Sequence, residues 1–304
     1  MRAVVHDPTA PAGLALREVP SPEPGPSQAL IRVAATSLNF ADVAYLRDRH
    51  APGAVPGFDA AGIVVAAAAE RDGPAPGTPV VSFGWSGGWA ELRVADAGEL
   101  AVVPAGVDLV AAAAVPVAGV TALRAVRRLG PVVGRRILIT GASGGVGRFA
   151  VQLAARAGAR VVASVGGPER GEGLRDLGAA EVVTGLAGVT APVHGVIDNV
   201  GGGLLADAYA LVEPDGLVLS VGMASREATT IDFEQARRRG GGRIEAFTVG
   251  SGFGPDLDYL VALLAAGELD PQIDWRGPWD RVGEAATALL GRRVRGKAVL
   301  EVRA

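Results

Sequence analysis

The chain contains no cysteine. Disulfides and cysteine-ligated zinc are therefore excluded, and cysteine usage says nothing about a redox compartment. Histidine is nearly absent as well. With only His6, His50 and His194, no ligand cluster can be assembled and no bound metal is expected. Lys297 is the single lysine among 29 basic residues, a bias that reads as genomic base composition. Long apolar runs are missing too. Residues 60–69 are too short to span a bilayer, and 100–126 are broken by Pro104, Asp108 and Pro116. The stretch from Met1 to Pro8 has too short an apolar run for a signal peptide. No membrane association is expected, and the chain reads as soluble and cytoplasmic. A net charge of −3 and a pI near 5.7 lack the basic excess that a nucleic-acid partner demands. The arginines of residues 237–243 read as a solvated loop.

A core, in contrast, is well provided for. The 304 residues are 49% hydrophobic and 20% charged, enough for two domains or one large one. Up to residue 110, short β-like runs at 29–34, 62–67, 79–83 and 89–94 alternate with Pro/Gly turns, the texture of an irregular, mostly β domain. From 111 to about 250 strands alternate with helices, which predicts an α/β, doubly wound parallel sheet. Its strands are placed at 136–140, 160–165, 181–184, 195–198, 216–221 and 244–249. Its helices are placed at 145–157, 168–177 and 203–211. Helices near 255–266 and 281–290 follow, then a strand at 297–302 that suits a return to the first domain.

The most informative stretch is Ile137-Leu-Ile-Thr-Gly-Ala-Ser-Gly-Gly-Val-Gly147. A buried strand enters a tight glycine turn, and a helix leaves it. Glycine lets the backbone approach a pyrophosphate, and the helix N-terminus supplies N–H donors and a positive dipole end. A second strand at 159–164 completes the βαβ unit that a bound dinucleotide needs. Ser143, Gly144, Gly145 and Val146 are the candidate pyrophosphate contacts. An NAD enzyme usually places an acid about 20 residues into this motif, to hold the ribose 2′-OH. Here Ala163-Ser-Val-Gly-Gly167 offers none, and Glu169 is followed by Arg170. Arginine suits a 2′-phosphate, which a carboxylate repels. NADPH is the expected cofactor, with Ser164, Gly166 and Arg170 at its phosphate end. Asn199 and Gly222 lie at the carboxyl ends of later strands, where ligands collect.

Two dehydrogenase architectures can own such a glycine turn. Short-chain dehydrogenases place it near the chain start and need a tyrosine with a lysine four residues on. None of Tyr45, Tyr209 and Tyr259 has one, so that chemistry is absent. The second resemblance spans nearly the whole chain. It runs through Ser37-Leu-Asn-Phe-Ala-Asp42, Pro56-Gly-Phe-Asp-Ala-Ala-Gly62, Ala113-Ala-Val-Pro…Thr121-Ala122, Ala142-Ser-Gly-Gly-Val-Gly147 and Gly296-Lys-Ala-Val-Leu300. In this order the segments resemble the zinc-independent medium-chain dehydrogenases/reductases. The likeness is to the quinone oxidoreductase group, with polyketide synthase enoyl reductase domains as close relatives.

That resemblance implies a GroES-like catalytic domain at 1–110, completed by 268–304, and a Rossmann nucleotide-binding domain at 111–267. It also implies that Asn39, Thr121 and Lys297 approach the cofactor, although Lys297 suits a structural ion pair equally well. The zinc branch needs a Gly-His-Glu segment. Here Gly57-Phe58-Asp59 stands in its place, which leaves the enzyme without a Lewis acid. The expected reaction is hydride transfer, in a cleft between domains, to a quinone or to a C=C bond conjugated with a carbonyl. An enoyl reductase or tailoring enzyme of a polyketide pathway is the second reading, and a non-catalytic nucleotide-binding protein the third. His50 and Tyr45 are candidate proton donors beside Asn39, with water the alternative. Trp85 and Trp89 could line a cleft, though core packing suits Trp89 better. A homodimer is expected, pairing through a sheet edge at 244–249.

Overall fold

The structure is a computed structural model that describes residues 1–70 and 72–303. It divides into two compact units, Met1–Val120 with Ser251–Ala304, and Thr121–Gly250.

The first unit is mostly β. A seven-stranded sheet is ordered Ile273–Pro278, Lys297–Glu301, Gln28–Leu38, Asp59–Ala66, Pro79–Phe83, Leu100–Val102, with Leu92–Asp96 pairing on Gln28–Leu38. Arg2–His6 and Leu14–Glu18 form a separate antiparallel hairpin. The C-terminal strand Lys297–Glu301 runs antiparallel to Gln28–Leu38, setting Ala298 opposite Leu38. One core packs Val4, Leu38, Val43, Leu46 and Trp89 against Trp279, Val282, Ala285 and Leu300. Helix Val282–Leu290 presents its apolar stripe to that core, as its spacing requires. All four tryptophans fall within this unit.

The second unit is a parallel six-stranded sheet ordered Ala179–Thr184, Arg160–Val165, Arg136–Ile139, Val193–Asp198, Val212–Ser220, Arg243–Ala246. The central strands carry apolar stretches, Ile137–Ile139 in one and Val196–Ile197 in the other, as strands covered on both faces require. The fold is thus α/β, with a doubly wound Rossmann sheet in one unit and a GroES-like, mostly β fold in the other.

Two expectations are corrected. The helix at 168–177 is only a 3-10 turn, Pro168–Gly171. Gly173 adopts φ +75°, outside the helical region, and a Cβ on Gly171 would lie 2.8 Å from Val182 Cγ1. The chain there hugs the sheet too closely for a helix. Residues 111–120 and 251–267 also group with the first unit rather than with the nucleotide-binding part. The backbone N–H groups of Gly252 and Phe253 donate to Glu99, and Phe253 stacks on Phe83 at 3.9 Å between centroids. These contacts hold helix Gly254–Ala265 to the β unit. Among the described residues no helix is long and apolar enough to cross a membrane.

Candidate functional site

In the parallel unit, strand Arg136–Ile139 runs into the glycine turn and helix Gly145–Arg156 leaves it. Gly144 is the N-cap, extended and without a side chain, so the N-cap residue offers no side-chain acceptor to the first-turn N–H groups. Gly145 and Val146 are half-buried. A Cβ on Gly147 would sit 2.4 Å from the Gly141 carbonyl oxygen and 2.7 Å from Ala142 Cα. Only glycine lets the helix start so close to the turn.

Arg170 reaches back over this turn. Its Nε donates to Ser143 Oγ at 3.0 Å, which joins the end of the second strand to the glycine loop. Gly166 is exposed, with open space where a Cβ would stand. Ser164 is buried, and its hydroxyl donates to the Gly185 carbonyl at 2.8 Å. It is engaged by the protein rather than presented at the strand end. Glu169 folds back, its Oε1 only 2.5 Å from where a Gly167 Cβ would be.

At the end of strand Val193–Asp198, Asp198 is buried. Its carboxyl accepts from the Thr140 hydroxyl and from Gly201 N–H at 2.8 Å. Burial pushes its pKa up. Asn199 Nδ2 donates to the Thr140 carbonyl at 2.8 Å. A Cβ on Gly222 would meet the Asn199 carbonyl oxygen at 2.8 Å. These bonds tie three strand ends into one rim. Thr121 is buried on helix Pro116–Arg128.

In the β unit, Asn39 sits inside a buried ionic network. Its Nδ2 donates to Asp42 Oδ2 at 3.1 Å and to Asp59 Oδ2 at 2.9 Å, and its Oδ1 accepts from Lys297 Nζ at 2.7 Å. Both amide hydrogens are used. Asn39 also caps helix Phe40–Ala44 in a reciprocal box with Asp42. Lys297, 2% exposed, further donates to the Leu38 carbonyl and faces Asp59 at 3.5 Å. The structural ion pair is thus the arrangement observed for Lys297. Burial first, and neighbouring Asp59 second, push the Asp42 carboxyl up to about 7. Burial pushes the Lys297 ammonium down.

Sequence reasoning missed Arg93, which is 1% exposed. Its Nη1 donates to the Ser82 carbonyl at 3.4 Å, while Nε and Nη2 have no hydrogen-bond partner among the described residues. Desolvation lowers it to about 10, against the opposing pull of Asp59 and Asp42. Strand periodicity held a signal for it. Arg93 shares the inward face of Leu92–Asp96 with Ala95.

Tyr45 and His50 bracket the short helix Leu46–Arg49. His6 Nδ1 approaches the His50 carbonyl at 2.8 Å, and His50 Nε2 is buried without a hydrogen-bond partner among the described residues. Burial lowers the His50 pKa, and the nearby charges of His6 and Arg49 add to the effect. Trp89 is a core residue whose Nε1 donates to the Ser37 carbonyl at 3.2 Å, whereas Trp85 is 56% exposed.

Residues 25–105 match the family model of the alcohol dehydrogenase GroES-like domain, and residues 145–266 that of zinc-binding dehydrogenases. A quinone oxidoreductase of Pseudomonas aeruginosa is 31% identical over 95% of this chain and 96% of its own length. Erythronolide synthase EryA2 of Saccharopolyspora erythraea is 36% identical over 89% of this chain. The chain spans only 8% of that much longer synthase. Among solved structures, the quinone oxidoreductase of Coxiella burnetii superposes with a TM-score of 0.86 at 26% identity, covering 100% of this chain and 99% of its own.

The residues present do not fit the zinc that one family description mentions. Cysteine is absent from the sequence, and among the described residues no three of His, Asp or Glu cluster to hold an ion. Asp59, at the segment where the zinc branch carries a ligand, has its oxygens engaged by Ser37, Asn39 and the Val117 N–H. With matches to both domain models and an end-to-end relative, the chain belongs to the medium-chain dehydrogenase/reductase family, in its quinone oxidoreductase group.

Proposed function

We propose that this protein is an NADPH-dependent reductase that works without zinc and delivers hydride to a quinone or to a C=C bond conjugated with a carbonyl. The observation that supports it most is the Arg170–Ser143 hydrogen bond. It sets a guanidinium beside the glycine turn, at a strand end where Ser164, Val165 and the following Gly166 carry no acid. The uncapped N–H groups at Gly145 and Val146 suit a pyrophosphate, whereas the Gly144 N–H already donates to the Gly141 carbonyl at 3.0 Å; Arg170 suits a 2′-phosphate. Bound NADPH supplies the hydride. The protein positions the partners and holds charge in place. With no protein ligand set for zinc, the substrate must already be electrophilic enough to accept hydride. The quinone oxidoreductase relatives agree with that class. The test is NADPH consumption against a panel of quinones and enones. Cofactor binding without turnover on any of them overturns the reading in favour of a non-catalytic protein.

The proton for a reduced C=C bond is proposed to come from solvent. With its pKa pushed below the ordinary value, His50 is mostly neutral at pH 7 and a poor general acid. His50→Phe is expected to leave enone reduction at pH 7 within about tenfold of the native rate, whereas a general acid contributes about 10²-fold or more. A loss of that larger size, with a changed pH profile, returns the role to His50.

We further propose a homodimer that pairs through Arg243–Ala246, the last strand of the parallel sheet, bonded on one side to Val212–Ser220. Light scattering should give twice the chain mass. A monomer mass that does not change with concentration would falsify this.

A further inference from the structure

We propose that Arg49 and Trp85 form a recognition face for a flat conjugated substrate bearing a negative charge. This inference rests on the reductase reading, whose substrate class it narrows.

The face is built from the inside outwards. Phe58, Phe83 and Phe253 are buried. Phe83 stacks on Phe253, and the exposed Trp85 indole stands edge-on to Phe83 at 4.9 Å and to Phe58 at 5.7 Å. Two buried rings thus hold a large aromatic plane out in solvent, an arrangement that costs apolar exposure unless something covers it.

The guanidinium of Arg49 lies over the same Phe58 ring, 5.6 Å from its centroid, and over the Tyr45 ring at 5.5 Å. Tyr45 and Arg49 are four residues apart, the spacing that brings side chains together on a helix. Among the described residues no carboxylate pairs with Arg49. Its charge is instead felt at His50, which it helps to push down. An oriented, unneutralised guanidinium and a supported indole, both packed on the Phe58 ring, complement a planar π-system with an anionic substituent. Arginine held by aromatic faces needs little further ordering to bind one.

The probes are 1,4-naphthoquinone and 1,4-naphthoquinone-2-sulfonate. They share a ring system and differ in charge, and the chain has no cysteine for either to alkylate. Arg49→Ala is expected to lower the ratio of kcat/KM for the sulfonate over the neutral quinone tenfold or more. Arg49→Lys should retain part of the preference. Arg47→Ala, which removes an exposed cation from the same short helix, should leave the ratio within twofold. Calorimetric binding of the sulfonate without NADPH gives a readout that needs no turnover, and its Kd should weaken tenfold in Arg49→Ala. Equal losses on both quinones, an Arg47→Ala effect matching Arg49→Ala, or no measurable binding by the native protein would each overturn the assignment. If the native protein binds the sulfonate through Arg49 yet reduces neither quinone, the reductase reading fails and the recognition face stands.

Discussion

Replacing Lys297 with methionine is expected to cost about 3–5 kcal/mol of folding stability, the usual penalty for removing one partner of a buried ion pair. The side chain is buried, and its ammonium bonds to Asn39, the Leu38 carbonyl and Asp59. Methionine fills the volume but removes a cation that Asp42 and Asp59 both feel, and leaves them Arg93, on which both carboxylates act. The loss should fall on the β unit. All four tryptophans lie there, so their fluorescence in a denaturant titration reads that unit directly. Adding Asp59→Asn to Lys297→Met should restore part of the loss, because the two charges are then removed together. No recovery in the double variant, or a single-variant loss below about 1 kcal/mol, would show the pair to be marginal.

The same network makes stability depend on pH. Asp42 is raised from 3.8 to about 7 in the folded protein. Between those values the unfolded chain has released this proton while the folded chain still holds it, so stability falls as pH rises. Asp198, raised by burial in the other unit, contributes with the same sign. The Asp42 contribution is complete below about pH 4 and lost by about pH 7. Asp42→Asn should flatten the tryptophan-detected Tm over that window. An unchanged slope would exclude Asp42 as its source.

Arg170→Ala is expected to weaken NADPH binding by about 1.5–3 kcal/mol, the value of a hydrogen bond to a charged group, and NADH binding much less. The native protein should prefer NADPH. The argument is one of charge. A 2′-phosphate needs a fixed cation, and Arg170 is fixed by Ser143. Glu169 works against it from the next position, folded over Gly167. The preference is therefore the net of a bidentate donor and a nearby carboxylate. Equal native affinities for the two cofactors, measured by fluorescence or calorimetry, would refute it, as would equal losses on both in Arg170→Ala.

Local spacing alone determined much of this protein. The glycine turn of residues 141–147, the alternation of strand and helix after it, and the return strand at Lys297 are short-range patterns. Such patterns depend on steric and hydrophobic periodicities that neighbouring residues set among themselves. Composition likewise carried the expectation about zinc, because a chain without cysteine and with three histidines lacks the usual cysteine and histidine ligands. Long-range packing decided the rest. The helix expected at 168–177 gave way where glycines let the chain lie against Val182. Helix Gly254–Ala265 joined the β unit through Glu99 and Phe83, residues more than 150 positions earlier in the chain. Ser164 turned to Gly185, and Asn39 spent both amide hydrogens on carboxylates. Arg93 became a buried cation that no motif marks. A side chain's role depends on which partners desolvate it, and those partners come from distant strands. Sequence spacing names candidates, whereas burial and hydrogen-bond geometry decide which of them remain available to a ligand.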